Sequence, residues 1–329
     1  MKIFITGASG FIGKHLATYL AEKGNDVRVL LRASANQTGL NIPNCTIFYG
    51  DVLDVESIRN AMEDCELVYH LAAFAKVWDK DPAKPYNINY IGTKNVLDIA
   101  VETKARKVLV TSTAGVFPPA VEALVNETTP RMLHLHTEYE RTKHLSEQLA
   151  LSYQSKGLEV VLANPCKVFG PGPIDDSNSS TLMIRNYING KWKIIPGNGN
   201  APANYVYVED VVKAMEILMN EAKSGEQYII GANNATFNEF FGSISKLSGV
   251  NKKLFNLPVW IIKLVAEIEL AKAKLFGIKP LITPEWVRKI PYSWAKDTQK
   301  IRTFANYQPK TLEEGIQLTI DWLKAEKEI

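Results

Sequence analysis

The chain opens on an apolar run, Met1-Lys2-Ile3-Phe4-Ile5, that passes directly into Thr6-Gly7-Ala8-Ser9-Gly10-Phe11-Ile12-Gly13. This reads as a first β-strand, a glycine turn and a helix over 14–22. Each glycine has a separate task. Gly7 permits a tight reversal at the strand end, and Gly10 removes a Cβ so that backbone N–H groups can approach a pyrophosphate. Gly13 lets the helix pack close to the sheet, and the helix start offers partial positive charge to phosphates. Glycine-rich turns are common in loops. A strand immediately before and a helix immediately after are what give this one the context of a dinucleotide-binding turn.

Strand and helix patterns alternate through the first half. Lys2–Ile5, Asp26–Leu31, Thr46–Tyr49, Leu67–Leu71, Lys107–Thr111 and Val160–Ala163 read as strands, with helices over Lys14–Lys23, Val55–Met62, Ile91–Thr103 and Tyr139–Lys156 between them. Such alternation predicts an α/β fold with a doubly wound parallel sheet, whose ligands lie outside the carboxyl ends of the strands. After Pro165 the pattern turns to loops and helices, with Gln227–Ile230 expected to return to the main sheet. The expected division is residues 1–165 plus 205–232 as the dinucleotide-binding domain, and 166–204 plus 233–329 as a smaller, mostly helical substrate lobe. Leu254–Phe276 is apolar but broken by Lys263, Glu267, Glu269, Lys272 and Lys274, so no transmembrane segment is expected there. An amphipathic helix packed on the protein is the expectation, with a membrane-surface or lid role as the alternative.

Charge is nearly balanced, 38 basic against 35 acidic residues, which gives no reason to expect nucleic acid as a partner. Cys45, Cys65 and Cys166 are odd in number and widely spaced, so no disulfide framework or zinc knuckle is indicated and a cytoplasmic location is expected. The first residues already form a strand, and the glycine turn interrupts any signal-peptide core. Cys166 reads as a small buried residue. His134 and His136 lack a completing carboxylate or thiol cluster and read as loop histidines, with no metal expected.

Tyr139 and Lys143 sit four apart in a helical pattern, on one face. A phenol with an ordinary pKa of about 10 is a poor acid or base near neutrality, and a nearby ammonium is expected to lower it toward useful general acid–base work. Arg32 ends the second strand, where a guanidinium suits a ribose 2′-phosphate. NADP(H) is therefore favoured, with NAD(H) possible.

The spacing G-x-x-G-x-x-G, together with Tyr139-Glu140-Arg141-Thr142-Lys143, resembles the extended branch of the short-chain dehydrogenase/reductase superfamily, the NAD-dependent epimerase/dehydratase family. The pattern is most similar to its dihydroflavonol reductase-like and 3β-hydroxysteroid dehydrogenase-like members. Further stretches carry the same resemblance. They are His70-Leu71-Ala72-Ala73, Asn87-Ile88-Asn89-Tyr90-Ile91-Gly92-Thr93-Lys94-Asn95, and Asn164-Pro165-Cys166-Lys167-Val168-Phe169-Gly170-Pro171-Gly172. The resemblance implies a Rossmann sheet and catalytic roles for Thr113, Tyr139 and Lys143, with Ser112 as the fallback for Thr113. It implies a cofactor site of Gly7, Ser9, Gly10, Phe11, Ile12, Gly13, Arg32, Asp51, Val52, Leu71, Ala72, Ala73, Tyr139, Lys143, Pro165 and Val168. His70 and Asn89 are expected to be structural. Asn164 and Phe169 stand where the family has Arg and Tyr, which puts polar substrate contacts in doubt. Ala203 stands where sugar-nucleotide members carry an Arg for the diphosphate. The expected reaction is therefore ketone/alcohol interconversion on a small or apolar substrate, covered by Leu254, Phe255, Val259, Trp260 and Ile261. A nucleotide-sugar epimerase or dehydratase is the alternative, and a non-catalytic NAD(P)-binding regulator is the third reading. A second copy of the chain, in a homodimer, is the other partner allowed for.

Overall fold

The computed structural model of the chain describes residues 1–76, 78–131, 137–304 and 306–329. Seven strands build the main sheet: β1 (Lys2–Thr6), β2 (Asp26–Leu31), β3 (Cys45–Tyr49), β4 (Leu67–His70), β5 (Lys107–Thr111), β6 (Glu159–Pro165) and β10 (Gln227–Ile230). All pair in parallel, in the order β10-β6-β5-β4-β1-β2-β3. The fold is therefore the doubly wound sheet expected from the alternating pattern. Parallel strands covered on both faces must be apolar almost throughout, and β4 and β5 are buried at every position. Successive side chains divide between two cores. Ile3, Ile5, Val27 and Val29 meet helices Phe11–Glu22 and Val208–Glu221 on one face, whereas Phe4, Val68, Val108 and Val110 meet helices Val55–Met62, Gly92–Glu102 and Glu138–Ser152 on the other.

The order reverses at β1. Strands β2 and β3 extend to one side and β4, β5, β6 and β10 to the other, which opens a crevice at the carboxyl ends of β1 and β4. Beyond the main sheet, β7 (Lys167–Phe169), β9 (Ala203–Tyr207) and β11 (Asn233–Ala235) form a three-stranded sheet, and β8 (Ile194–Pro196) pairs with β12 (Phe255–Leu257). Residues 205–207 thus belong to the small sheet, while helix Val208–Glu221 and β10 return to the large one.

Two local findings differ from expectation. The first helix begins at Phe11 rather than Lys14, so Phe11, Ile12 and Gly13 form its first turn. Helix Val259–Phe276 is amphipathic and packs against the protein through Ile262, Ala266 and Ala273, with Val259 beside them, but Trp260, expected over a substrate, is exposed together with Leu264, Ile268 and Leu275. Among the described residues, no helix is long and apolar enough to cross a membrane.

The turn after β1 is set by backbone crowding. Gly7 has φ +78°, and a Cβ there would lie 2.6 Å from the Ala72 nitrogen and the Leu71 carbonyl carbon. A Cβ on Gly13 would lie 2.2 Å from the Gly7 oxygen. Gly13→Ala is expected to lower stability by about 1–3 kcal/mol, the usual cost of overpacking, or more because the obstacle is backbone. A urea midpoint equal to that of the native chain would contradict this packing.

Candidate active site

The first cluster of site residues gathers around the β1 turn. Phe11, Ile12 and Gly13 N–H precede the first intrahelical bond, Lys14 N–H to the Gly10 carbonyl (3.0 Å), and the Gly10 cap supplies no side-chain acceptor. Those donors are available to an anion, and the helix start adds positive potential. A cavity of about 310 Å³ runs outward from Gly7, Ser9 and Gly10 to Arg32, Asp51 and Val52, floored by Leu71, Ala72 and Ala73. Ala72 N–H is tied to Thr6 Oγ1 (3.2 Å), and Asp51 accepts from Leu53 N–H (3.0 Å). Arg32 is exposed at the end of β2. Glycine cradle, open donors and a cation at the far end fit an adenine dinucleotide. Pro165, at the end of β6, and Val168, on β7, lie outside this cavity's lining.

The second cluster is at the ends of β5 and β6. Thr137 caps helix Glu138–Ser152 by accepting from Glu140 N–H (3.2 Å), and Glu140 returns a bond from Thr137 N–H (3.2 Å). Tyr139 and Lys143 therefore lie in the first turns of that helix. Thr113 Oγ1 accepts from Gly115 N–H (3.1 Å) in a short 3₁₀ turn, leaving its own proton to give. Gly115 fits there because a Cβ would lie 2.9 Å from Glu140 Oε1 and 3.4 Å from Thr113 Oγ1, which brings the Thr113 turn against the residue following Tyr139. Ser112 is buried, its hydroxyl close to the Glu147 carboxylate, whereas Thr113 is half-buried and more accessible.

Burial, reinforced by the Glu140 carboxylate, pushes the Tyr139 phenol above its ordinary value, opposite to the direction expected from Lys143. Burial lowers Lys143 to about 8, against the pull of the Glu147 carboxylate. Glu147 is itself buried. Desolvation alone would raise its pKa, but hydrogen bonding from His144 and the Arg131 charge bring it below the usual range. It accepts from Arg131, from Asn164 Nδ2 (2.6 Å) and from Gln227 Nε2 (3.1 Å). Asn164 also donates to the Thr113 carbonyl (3.1 Å). Asn164 is thus a buried clamp beneath the Thr113 turn.

His70 is buried between Thr6 Oγ1 (2.7 Å) and Thr93 Oγ1 (2.9 Å), and burial lowers it to about 3. Asn89 lies in a π-helical turn, Asn87–Ile91, accepting from Phe74 N–H (2.6 Å) and donating to Thr142 Oγ1 (2.9 Å). It holds the β4 loop against the helix of Tyr139. His134 and His136 lie outside the described residues.

Residues 3–231 match the model of the NAD dependent epimerase/dehydratase family. The chain belongs to that family. It is an NAD(P)-dependent enzyme of the extended short-chain dehydrogenase/reductase type. It is 25% identical over 329 residues to a putative dihydroflavonol 4-reductase of Synechocystis sp., covering 98% of this chain and 94% of the relative. It is 26% identical over 335 residues to sterol-4-alpha-carboxylate 3-dehydrogenase, decarboxylating, of Mus musculus, covering 97% of this chain and 90% of the relative. The crystal structure of Thermotoga maritima UDP-glucose 4-epimerase with UDP-glucose superposes with a TM-score of 0.83 at 26% identity, covering 99% of this chain and all of that one.

Within this family frame, three lysines stand out that motif reading passes over. Lys289 pairs with Glu140 and lies over Trp294 (4.4 Å) and Trp286 (4.8 Å). Lys296 is buried, donates to the Pro118 carbonyl (3.0 Å) and lies 5.5 Å from the Trp294 ring. Lys167 lies on β7, its ammonium set between Phe237 (5.1 Å) and Tyr205 (5.5 Å). Burial, with the Lys289 charge adding to it, lowers Lys167 to about 8. Lys296 likewise falls to about 8, chiefly through burial. Residues 293–294 tie this segment to the rest of the chain, with Ala120 N–H bonded to the Ser293 carbonyl (2.8 Å) and Trp294 N–H to the Pro202 carbonyl (2.7 Å). Trp294 also bridges to Ala203. The position where sugar-nucleotide relatives carry Arg is therefore buried beside an indole. The lysines are 122 and 129 residues from Lys167, and no local spacing signals their meeting.

Proposed function

We propose that the protein is an NADP(H)-dependent oxidoreductase that interconverts a ketone or aldehyde and an alcohol. The observation that carries this reading is the meeting of two features at the carboxyl ends of the strands: the uncapped glycine turn, and the Tyr139–Lys143 helix packed against the Thr113 turn. The pyrophosphate rests on the Gly7–Gly13 backbone, the adenosine end lies toward Asp51, Val52 and Arg32, and Pro165 and Val168 border the nicotinamide. When bound, the dinucleotide supplies or takes up the hydride. Tyr139 is a protonated phenol at neutral pH because burial raises its pKa, so it serves as the acid toward a carbonyl oxygen. Thr113 donates a hydrogen bond to that same oxygen. Lys143 keeps its charge below about pH 8 and stabilises the phenolate left after proton transfer.

The substrate reading combines an apolar body with an acidic group. Strand β9, Ala-Asn-Tyr-Val-Tyr, carries no cation for a diphosphate, whereas Lys167 and Lys296 make no ion pair among the described residues and stand among aromatic rings. A relative named for a sterol carboxylate points the same way. The expected apolar substrate is thereby refined rather than replaced, and UDP and dTDP should compete poorly.

Tyr139→Phe should lower kcat by about 10²–10⁴-fold while NADPH binding survives. A near-native kcat in a carbonyl-reduction assay would remove Tyr139 from its role.

Titration calorimetry should give tighter binding for NADPH than for NADH. Arg32→Asp should reverse that order, since a carboxylate repels a 2′-phosphate and accepts from a 2′-hydroxyl. Equal native affinities would return Arg32 to an ordinary surface residue.

For an aryl keto acid and its methyl ester, the KM of the acid should rise as pH passes upward through about 8, where Lys167 and Lys296 lose their charge. The ester's KM should stay flat. Identical profiles would exclude these lysines from substrate binding.

A further inference from the structure

Helix Val259–Phe276 has 18 residues and two apolar faces. At 100° per residue, its buried Ile262, Ala266 and Ala273 fall within about 40° of arc. On the opposite side, Trp260, Leu264, Ile268 and Leu275 fall within about 80° of arc. That second stripe is exposed, Trp260 at 68% and Leu275 at 76%, and Leu281 just beyond the helix is 87% exposed. Scattered exposed apolar residues are ordinary, but a continuous row on one helix face is not.

The surroundings of the stripe indicate what covers it. Lys263 and Lys274, with Glu267, border one margin, and Lys272, paired with Glu269 (3.1 Å), borders the other. Across residues 252–281 there are six lysines and two glutamates. Glu269 also accepts from Leu281 N–H (3.5 Å), which folds the end of the exposed row back beside the helix. An apolar stripe with Trp and Leu, edged by Lys and too short and charged to span, has the makeup of a helix lying in a bilayer interface. The lysine excess selects an anionic surface. A Cβ on Gly277, at the helix end, would lie 2.4 Å from Lys80 Nζ. That lysine lies between Lys76 and Lys84, the latter opening the short helix Lys84–Tyr86, and both line the site cavity. The helix end is thus adjacent to the mouth of the crevice.

We infer that the outer face of Val259–Phe276 docks the enzyme peripherally on an anionic phospholipid surface. This is independent of the reaction assigned above.

The test is flotation of the full chain with vesicles of phosphatidylcholine and phosphatidylglycerol at 7:3, against vesicles of phosphatidylcholine alone. The native chain should float with the anionic vesicles, and at least tenfold less with the neutral ones or in 1 M salt. Trp260→Glu combined with Leu264→Glu should reduce flotation at least tenfold while leaving the melting temperature and NADPH binding unchanged, because both side chains are exposed. Lys263→Glu with Lys274→Glu should abolish the preference for anionic lipid. Equal flotation of the native chain and the Trp260→Glu/Leu264→Glu variant would overturn the inference. So would a native dimer, seen by light scattering and lost in that variant, in a chain that does not float.

Discussion

The close contact between the first turn of helix Phe11–Glu22 and the end of β1 governs the placement of the remaining site elements. With no Cβ on Gly13, the helix start sits against the Gly7 carbonyl. With none on Gly7, that turn sits against the Leu71–Ala72 backbone at the end of β4. Strands β1 and β4 flank the reversal of the sheet order, so this one three-way backbone contact sets the depth of the crevice. Any side chain there would push the N–H donors of the helix start away from the strand ends. The cavity from Ser9 to Arg32 exists because these backbones touch.

A second constraint fixes the opposite wall. Glu147 is a buried carboxylate held by Arg131, Asn164 and Gln227, and Asn164 in turn holds the Thr113 carbonyl. One charge thereby links the helix of Tyr139 and Lys143 to β6, β10 and the Thr113 turn. A buried carboxylate is costly unless fully hydrogen-bonded, and a fully satisfied network admits one arrangement of its members. Asn89 adds a tie between that helix and the loop after β4. The proposed reacting groups are held by interior polar groups.

Much of this was legible in the chain. The strands of the main sheet lie within about a residue or two of their apolar runs, because parallel strands buried on both faces leave little room for other compositions. The glycine turn announced its own geometry, and Asp54, just before helix Val55–Met62, accepts from Glu56 N–H as an acidic cap does. Other features were hidden for physical reasons. The three-residue strands β7 and β11 are too short for any period to show. Val259–Phe276 is apolar on two faces, and periodicity does not say which one turns inward. Lys167, Lys289 and Lys296 converge only through tertiary structure. The Tyr139 phenol shifts upward because desolvation, which a sequence does not display, and the Glu140 carboxylate both favour its protonated form.

The backbone pairings of Ser293 and Trp294 have a bearing on how the enzyme comes into being. Those residues pair with Ala120, Pro202 and Ala203, nearly two hundred positions earlier in the first case. The sheet and its glycine turn are complete once β10 has been synthesised, but Lys289, Trp294 and Lys296 follow about sixty residues later. During vectorial synthesis the strands around the glycine turn come first, and the segment carrying Lys289, Trp294 and Lys296 follows, through contacts of long sequence separation that close late. A nascent chain at that intermediate stage already holds its glycine turn, while the lysine and tryptophan cluster that packs on Glu140 and Ala203 has not yet been made.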